Sequence, residues 1–250
     1  MKRAFNPQEP ELMDLSQPSS PELERDLANL ASLNRWFGSH RLVTHFLELW
    51  FEKGESYRVL DLATGAGDIP RLIVDWARQR GIAVEVEAVD ANPGTLDIAR
   101  AASAGYPEIT WVQGNVLAHE SGRTHDLVCC SLALHHFDEL DAIRLLLRAR
   151  ELSHRWVLVS DLERGPATSL GVWLLTEFIY RDPMTRYDGR LSARRAFSFA
   201  EMSAMAEAAG WTDFCHSRCL WCRQAIWMNS REVGGILVPL PVVEPLPCPG

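Results

Sequence analysis

Five short runs rich in β-formers, YRVLDL, VEVEAVD, EITWVQ, HDLVCCSL and RWVLVSDL, alternate with stretches of helical period such as PRLIVDWARQR, PGTLDIARAA and DELDAIRLLLRARE. Strands separated by helices of that length are joined by crossovers, which set the strands parallel and lay helices over both faces of the sheet. At 250 residues with 47% hydrophobic content the chain can bury one sizeable core, so a single α/β domain is expected. Residues 1–20, rich in Pro, Ser and acid, read as an irregular arm. Order is expected from Ser20-Pro21-Glu22, a hydroxyl N-cap followed by proline at the first helical position, and two amphipathic helices then fill residues 21–53. The runs WTDFCHS and LWCRQAIWM predict a closing hairpin. The domain is expected to end near residue 230, and residues 231–250 form a Pro-rich tail.

In an open parallel sheet, ligands sit at the carboxyl ends of the strands, so the loops after the β-runs are where chemistry is sought. The first run leads into VLDLATGAGD. A dinucleotide loop reads GxGxxG and places a pyrophosphate on a helix N-terminus, where a strand-end carboxylate would repel it. Here Asp61 ends the strand and Pro70 stands where the third glycine would be. An acid beside a glycine turn suits a ligand that carries a positive charge next to a carboxylate, as the amino-acid end of S-adenosylmethionine does. The second run ends in Asp90, placed to accept from both hydroxyls of a ribose.

Together VLDLATGAGD, VEAVDAN, QGNVL and HDLVCCSLALHHF resemble the motif series of the class I S-adenosylmethionine-dependent methyltransferases, over roughly residues 57 to 160. The flanking ELMD, LNRWFGSHRLV and DGRLSARRAFSFAEMSAMAEAAGW are similar to a bacterial small-molecule branch near the ubiquinone/menaquinone-biosynthesis type, some of it associated with polyketide pathways. The resemblance implies a Rossmann-like fold, a seven-stranded, mostly parallel sheet with a reversed final strand, N-terminal helices and a helical cap insertion at about 162–199. Carried over by position, it puts Asp61, Ala63, Gly65 and Gly67 around the methionine part of the cofactor, Asp90 on its ribose, and Ala91 and Asn92 near the adenine. Asn115 and Val116 flank the adenine, Asn115 departing from the commoner acid, and Ser131 and Leu132 close the site beneath the sulfonium.

Methyl transfer is an in-line displacement on an already activated sulfonium, so positioning supplies much of the acceleration. A phenol is mostly neutral at pH 7, and a base could add on the order of 10²–10⁴. His135 and His136 are the candidates, and either could serve or could instead cap the following helix. A related branch of quinone O-methyltransferases carries acidic metal ligands at this motif. The corresponding places here hold Leu132 and His135, so no catalytic magnesium and no metal ligand is expected. Within the cap, LGVWLLTEFIY offers Trp173, Phe178 and Tyr180 to line an acceptor pocket, with core filling as the alternative. Arg194 and Arg195 in LSARRAF resemble a family signature and could pair an acceptor carboxylate or hold the cap by ion pairs, and Trp36 could cover the cofactor's open side or pack between helices.

The formal net charge of -8, with no clustered basic face, argues against a nucleic-acid partner and for a small molecule. Six cysteines in a chain of this length read as reduced thiols. The spacing CxxxCxxC of Cys215, Cys219 and Cys222 falls in β-like runs, where three thiols do not converge on one cluster. No apolar stretch is long enough to span a bilayer, and a cytoplasmic enzyme of natural-product biosynthesis is expected. The reaction expected is O-methylation of a small aromatic, phenolic or polyketide-derived acceptor. The alternatives are C-methylation of a quinone-type precursor, a protein that binds S-adenosylmethionine without turnover, or a nucleotide-dependent oxidoreductase on the same sheet. The oligomeric state is not legible.

Overall fold

The computed structural model describes residues 1–219 and 222–229, so the Pro-rich tail at 231–250 lies outside the described residues. Seven strands form one sheet in the order β3-β2-β1-β4-β5-β7-β6. Strands β1 (Ser56–Leu62), β2 (Ala83–Asp90), β3 (Ile109–Gln113), β4 (His125–Ser131) and β5 (Ser153–Leu162) are mutually parallel. The hairpin of β6 (Phe214–Cys219) and β7 (Arg223–Asn229) closes the edge, with β7 antiparallel to both β5 and β6. The central strand β1 pairs Asp61 with Ala88 on one side and Cys129 on the other, which draws the ends of β1, β2 and β4 to a common edge.

Helices cover both faces because the central strands are apolar on both. Strand β4 is buried over six consecutive residues, His125 to Cys130. On one face, α2 (Ser39–Trp50) presents Leu42, Val43, Phe46, Leu47 and Trp50 at helical spacing to the sheet and to α3 (Asp68–Arg80). Trp50 stacks on Trp156 of β5 with ring centroids 5.5 Å apart. On the other face, Leu145, Leu146 and Ala149 of α5 (Glu139–Leu152) pack with Met202 and Met205 of α8 (Phe199–Ala208). Local signals set the boundaries. The Ser20 hydroxyl accepts from Leu23 N at the start of α1 (Pro21–Trp36), Asn92 caps α4 (Pro93–Ala102), and Ser198 with Glu201 forms a capping box on α8. Between β5 and α8 the chain inserts α6 (Pro166–Phe178) and α7 (Pro183–Arg195), the helical cap. No helix of the described residues is long and apolar enough to cross a membrane.

The first 20 residues have little regular structure, a single 3-10 turn at Leu12–Asp14, yet they are stitched to the domain rather than free. Both carboxylate oxygens of Asp188 on α7 accept from Leu12 N and Met13 N, at 2.7 and 3.0 Å. The Asn92 amide donates to Met13 O and Leu15 O. Arg195 donates to Asn6 O and Glu9 O. Gly94, in the first turn of α4, has no side chain because the backbone of Gln17, Pro18 and Ser19 lies directly against it. Gly94→Ala is therefore expected to lift the arm while sparing the sheet. Limited proteolysis within residues 1–18 should speed up at least about tenfold, with the melting temperature of the domain lowered only slightly.

Candidate functional site

A cavity of about 940 Å³ opens over the carboxyl ends of the strands. Its floor is the loop after β1, where Ala63 (φ 56°), Gly65 (φ 53°) and Gly67 (φ 69°) all take left-handed backbone. Alanine in that region is strained, as is Leu132 (φ 56°) after β4, and such strain gathers where a ligand is held. Gly65 N and Asn92 N donate to the two oxygens of Asp90, both at 2.9 Å, so the acid that ends β2 is fixed at the loop. Its pKa is raised by burial. Asp61 accepts from the Thr64 hydroxyl at 2.5 Å and from the Cys129 thiol at 3.3 Å. Burial, aided by the nearby Asp68 and Asp90, pushes its pKa up to about 7. A buried acid with no cationic hydrogen-bond partner, beside a glycine with open space above it, fits the ammonium end of S-adenosylmethionine.

Ala91, Asn92, Asn115, Val116, Ser131 and Leu132 line the same cavity. Gly67 is not among those lining residues; it is the N-cap of α3 in left-handed backbone, and a side-chain β-carbon there would run into the Trp111 ring. The Asn92 side chain accepts from Gly94 N and donates to Met13 O and Leu15 O, so within the cavity wall it also caps α4 and holds the arm. The Asn115 carbonyl accepts from Leu117 N at 3.0 Å and leaves the amide nitrogen for a ligand.

His135 and His136 both line the cavity, with rings 4.3 Å apart. Buried His135 donates from Nδ1 to Asp161 at the end of β5, at 2.7 Å, and its backbone N–H donates to the other oxygen of Asp161. That pair orients Nε2 toward the cavity. Burial opposes charge on Asp161, but His135 and the backbone donors Leu162 and His135 outweigh it and lower its pKa. His136 pairs through Nδ1 with Asp14 at 2.6 Å. Desolvation lowers its pKa, yet Glu11, Asp14 and Asp161 together raise it to about 10, so it carries a proton at neutral pH and is unsuited as the base. Glu11, from the arm, brings a carboxylate to both imidazoles, a third donor that the spacing of the HHF motif cannot reveal.

The expected acceptor residues are not in the cavity. Trp36 is 69% and Phe178 58% exposed, Trp173 points outward under Arg190, Tyr180 bonds the Ser32 hydroxyl, and Arg194 faces a separate groove with Arg181 and Arg190. On a helix as apolar all round as α6, the neighbours of Trp173 turn inward instead, and Val172 and Leu175 line the cavity. One residue along α7 is a rotation of about 100°, and it is Arg195, not Arg194, that reaches the cavity. Leu27, Leu30 and Leu33 of α1 complete the apolar wall. Glu11, Asp14, Asp161 and Asp188 were missed. Of these, Asp161 had a readable signal, an acid at a strand's carboxyl end, and Glu11 had none beyond lying in ELMD.

Comparison with known proteins agrees with this geometry. Residues 59–154 match the family described as methyltransferase domain. A 2-phytyl-1,4-naphthoquinone methyltransferase of Thermosynechococcus vestitus is 38% identical over 82 residues, a stretch covering 33% of this chain and 35% of that protein. Solved structures with the same fold include an O-methyltransferase family protein from Burkholderia thailandensis (TM-score 0.60, 17% identity, covering 84% of this chain and 60% of that one). Human N-acetylserotonin methyltransferase in complex with S-adenosylmethionine is another (TM-score 0.58, 18% identity, 83% and 56%). The Asp61 and Asp90 loops of the cavity lie within the segment that matches the methyltransferase-domain family, and the fold is shared with solved methyltransferases, one of them in complex with S-adenosylmethionine.

Proposed function

We propose that the chain transfers a methyl group from S-adenosylmethionine to an oxygen of a small aromatic, phenolic or polyketide-derived acceptor. The observation that carries this reading is one continuous cavity, running from the Asp61 and Asp90 loops past the His135–Asp161 pair to the apolar wall of α1 and α6. When bound, S-adenosylmethionine supplies a methyl group on a sulfonium already activated for displacement. Asp61 receives its ammonium group and Asp90 its ribose hydroxyls. Leu27, Leu30 and Leu175 enclose a flat apolar acceptor and exclude water from it. His135 Nε2 faces the acceptor and takes the proton of its hydroxyl, while Asp161 holds the ring and balances the imidazolium that forms. His136, already protonated, stands beside the developing oxyanion as a cation.

The naphthoquinone methyltransferase relative favours a second reading, transfer to a ring carbon of a quinone-type precursor. Both are tested by transfer of a deuterium-labelled methyl group to a panel of phenols, quinone precursors and aromatic polyketides, read by mass spectrometry. Label on oxygen is expected. Label on carbon would select the second reading, and no label in a protein that binds S-adenosylhomocysteine would leave cofactor binding without turnover.

Two further outcomes are expected. His135→Ala should lower kcat by about 10²–10⁴ and Asp161→Asn by a smaller factor, with the Kd for S-adenosylhomocysteine within about threefold of the parent in each. Cofactor affinity should also depend on pH through Asp61. With a pKa of about 7 in the free protein, its carboxylate is neutralised as pH falls, and the ammonium loses its partner. Calorimetric titration should find the Kd for S-adenosylhomocysteine about tenfold weaker at pH 6 than at pH 8, and Asp61→Asn should flatten that profile. A parent protein with a flat profile would remove Asp61 from the ammonium site.

A further inference from the structure

Where the arm crosses the loop after β4, Glu11 enters between two imidazoles. Its carboxylate is buried, with one oxygen 3.7 Å from His135 Nε2 and the other 3.8 Å from His136 Nε2. These separations are too long for hydrogen bonds. They are close to the spacing of two ligands on one ion, because donors about 2.1 Å from a tetrahedral centre stand roughly 3.4 Å apart. One donor atom from each of Glu11, His135 and His136 lies within 4.8 Å of the others.

The far side of each ring carries a second, independent observation. His135 gives Nδ1 to Asp161 and His136 gives Nδ1 to Asp14, so a carboxylate outside the cluster fixes each ring with Nε2 toward Glu11. Metal-ligating histidines are held in this way, the distal N–H donated to a carboxylate that sets tautomer and orientation. The remaining contact of Glu11, from the Ser192 hydroxyl at 2.8 Å, orients the acid without charge. Arg3 and Arg195 lie close by, but their hydrogen bonds go to carbonyl oxygens of residues 135, 137 and 195 and of residues 6 and 9. The pocket between the three donors therefore has no side-chain cation hydrogen-bonded within it, and all three residues line the large cavity.

We propose that Glu11, His135 and His136 bind one zinc ion, with its remaining coordination position turned into the cavity. Two imidazoles and one carboxylate with an open position form a catalytic type of zinc set, and they suit a transition metal far better than magnesium, which prefers oxygen ligands and its own water. The ion takes the place of the proton on His136 and engages the Nε2 lone pair of His135. What the open position does rests on the methyl-transfer reading. An acceptor hydroxyl coordinates there and gives its proton to water. The oxygen–methyl bond then forms as the carbon–sulfur bond breaks, the electron pair remaining on sulfur. In the zinc-bound protein the ion ionises the acceptor, and His135 holds the ion rather than a proton.

The test uses the full chain, stripped with a chelator and titrated with zinc chloride by calorimetry, and in parallel with cobalt(II), whose visible spectrum reports coordination. One equivalent of zinc and the intense absorption of a four-coordinate cobalt(II) site are expected, with no heat from magnesium at the same concentrations. Glu11→Gln and His136→Ala should each weaken zinc at least about 100-fold, and Asp14→Asn about tenfold, while each variant still binds S-adenosylhomocysteine. The thiols Cys215, Cys219 and Cys222 can also take zinc, and Glu11→Gln separates the two sites because they lie elsewhere, at the hairpin. Zinc binding unchanged by Glu11→Gln, or an octahedral cobalt spectrum, would overturn the site. Methyl transfer at full rate in metal-free protein would overturn the ion's part in the reaction while leaving the transfer reading intact. Zinc bound as expected with no transfer to any acceptor would uphold the site and sink that reading.

Discussion

The site depends on a segment with almost no regular structure holding its place against the sheet. Residues 1–18 have one 3-10 turn and no strand, so nothing local stabilises them. What fixes them is a set of side-chain anchors reaching from elsewhere: Asp188 to two backbone N–H groups, Asn92 to two carbonyls, Arg195 to two more. The Arg195 bonds, which carry a charge, are worth roughly 1.5–3 kcal/mol each, and the neutral Asn92 bonds about 1 kcal/mol. This is how a stretch without helix or sheet is given one conformation. With the arm in place, the cavity has a wall carrying Phe5, Glu11, Met13 and Asp14, and Glu11 and Asp14 stand against the two histidines.

Electrostatics at the carboxyl edge follow from how the acids are distributed. Asp61 and Asp90 end neighbouring parallel strands and sit in burial without cationic hydrogen-bond partners, which raises both. Asp161, on the other side of β4, has His135 against it and moves the other way. One half of the edge is thus short of positive charge and the other has it built in. The first half suits a ligand with an ammonium group and ribose hydroxyls, and the second holds a buried imidazole–carboxylate pair. The strained backbone at Ala63 and Leu132 lies at the two turns where these halves meet.

Much of this was legible in the residues before folding was considered. The alternation of β-runs with helical stretches predicts the parallel sheet, the turn chemistry of ATGAGD predicts the ligand loop, and the two acids predict its polarity, because each signal is local. The hairpin at the edge was readable too. Reading failed where orientation depends on tertiary packing. The α6 stretch LGVWLLTEF is apolar on every side, so no period distinguishes the inward Val172 and Leu175 from the outward Trp173 and Phe178. Arg194 and Arg195 are adjacent and chemically the same, and only the rotation between them decides which meets the arm. Glu11 lies 124 residues before His135 in a segment with no pattern at all, so its meeting with the histidines is invisible to any spacing rule.

The same anchors set an order of events in time. Arg195 grips the carbonyl of Glu9 across 186 residues of chain, and Arg3 reaches the carbonyl of Arg195 across 192. Closing loops of that length is slow compared with forming the local hairpins and helices of the sheet. During synthesis the arm emerges before its anchor and waits: α7 comes out only after the five parallel strands. A segment made before the sheet therefore finds its place after it, and the cavity acquires this wall only once the sheet's parallel core has been made.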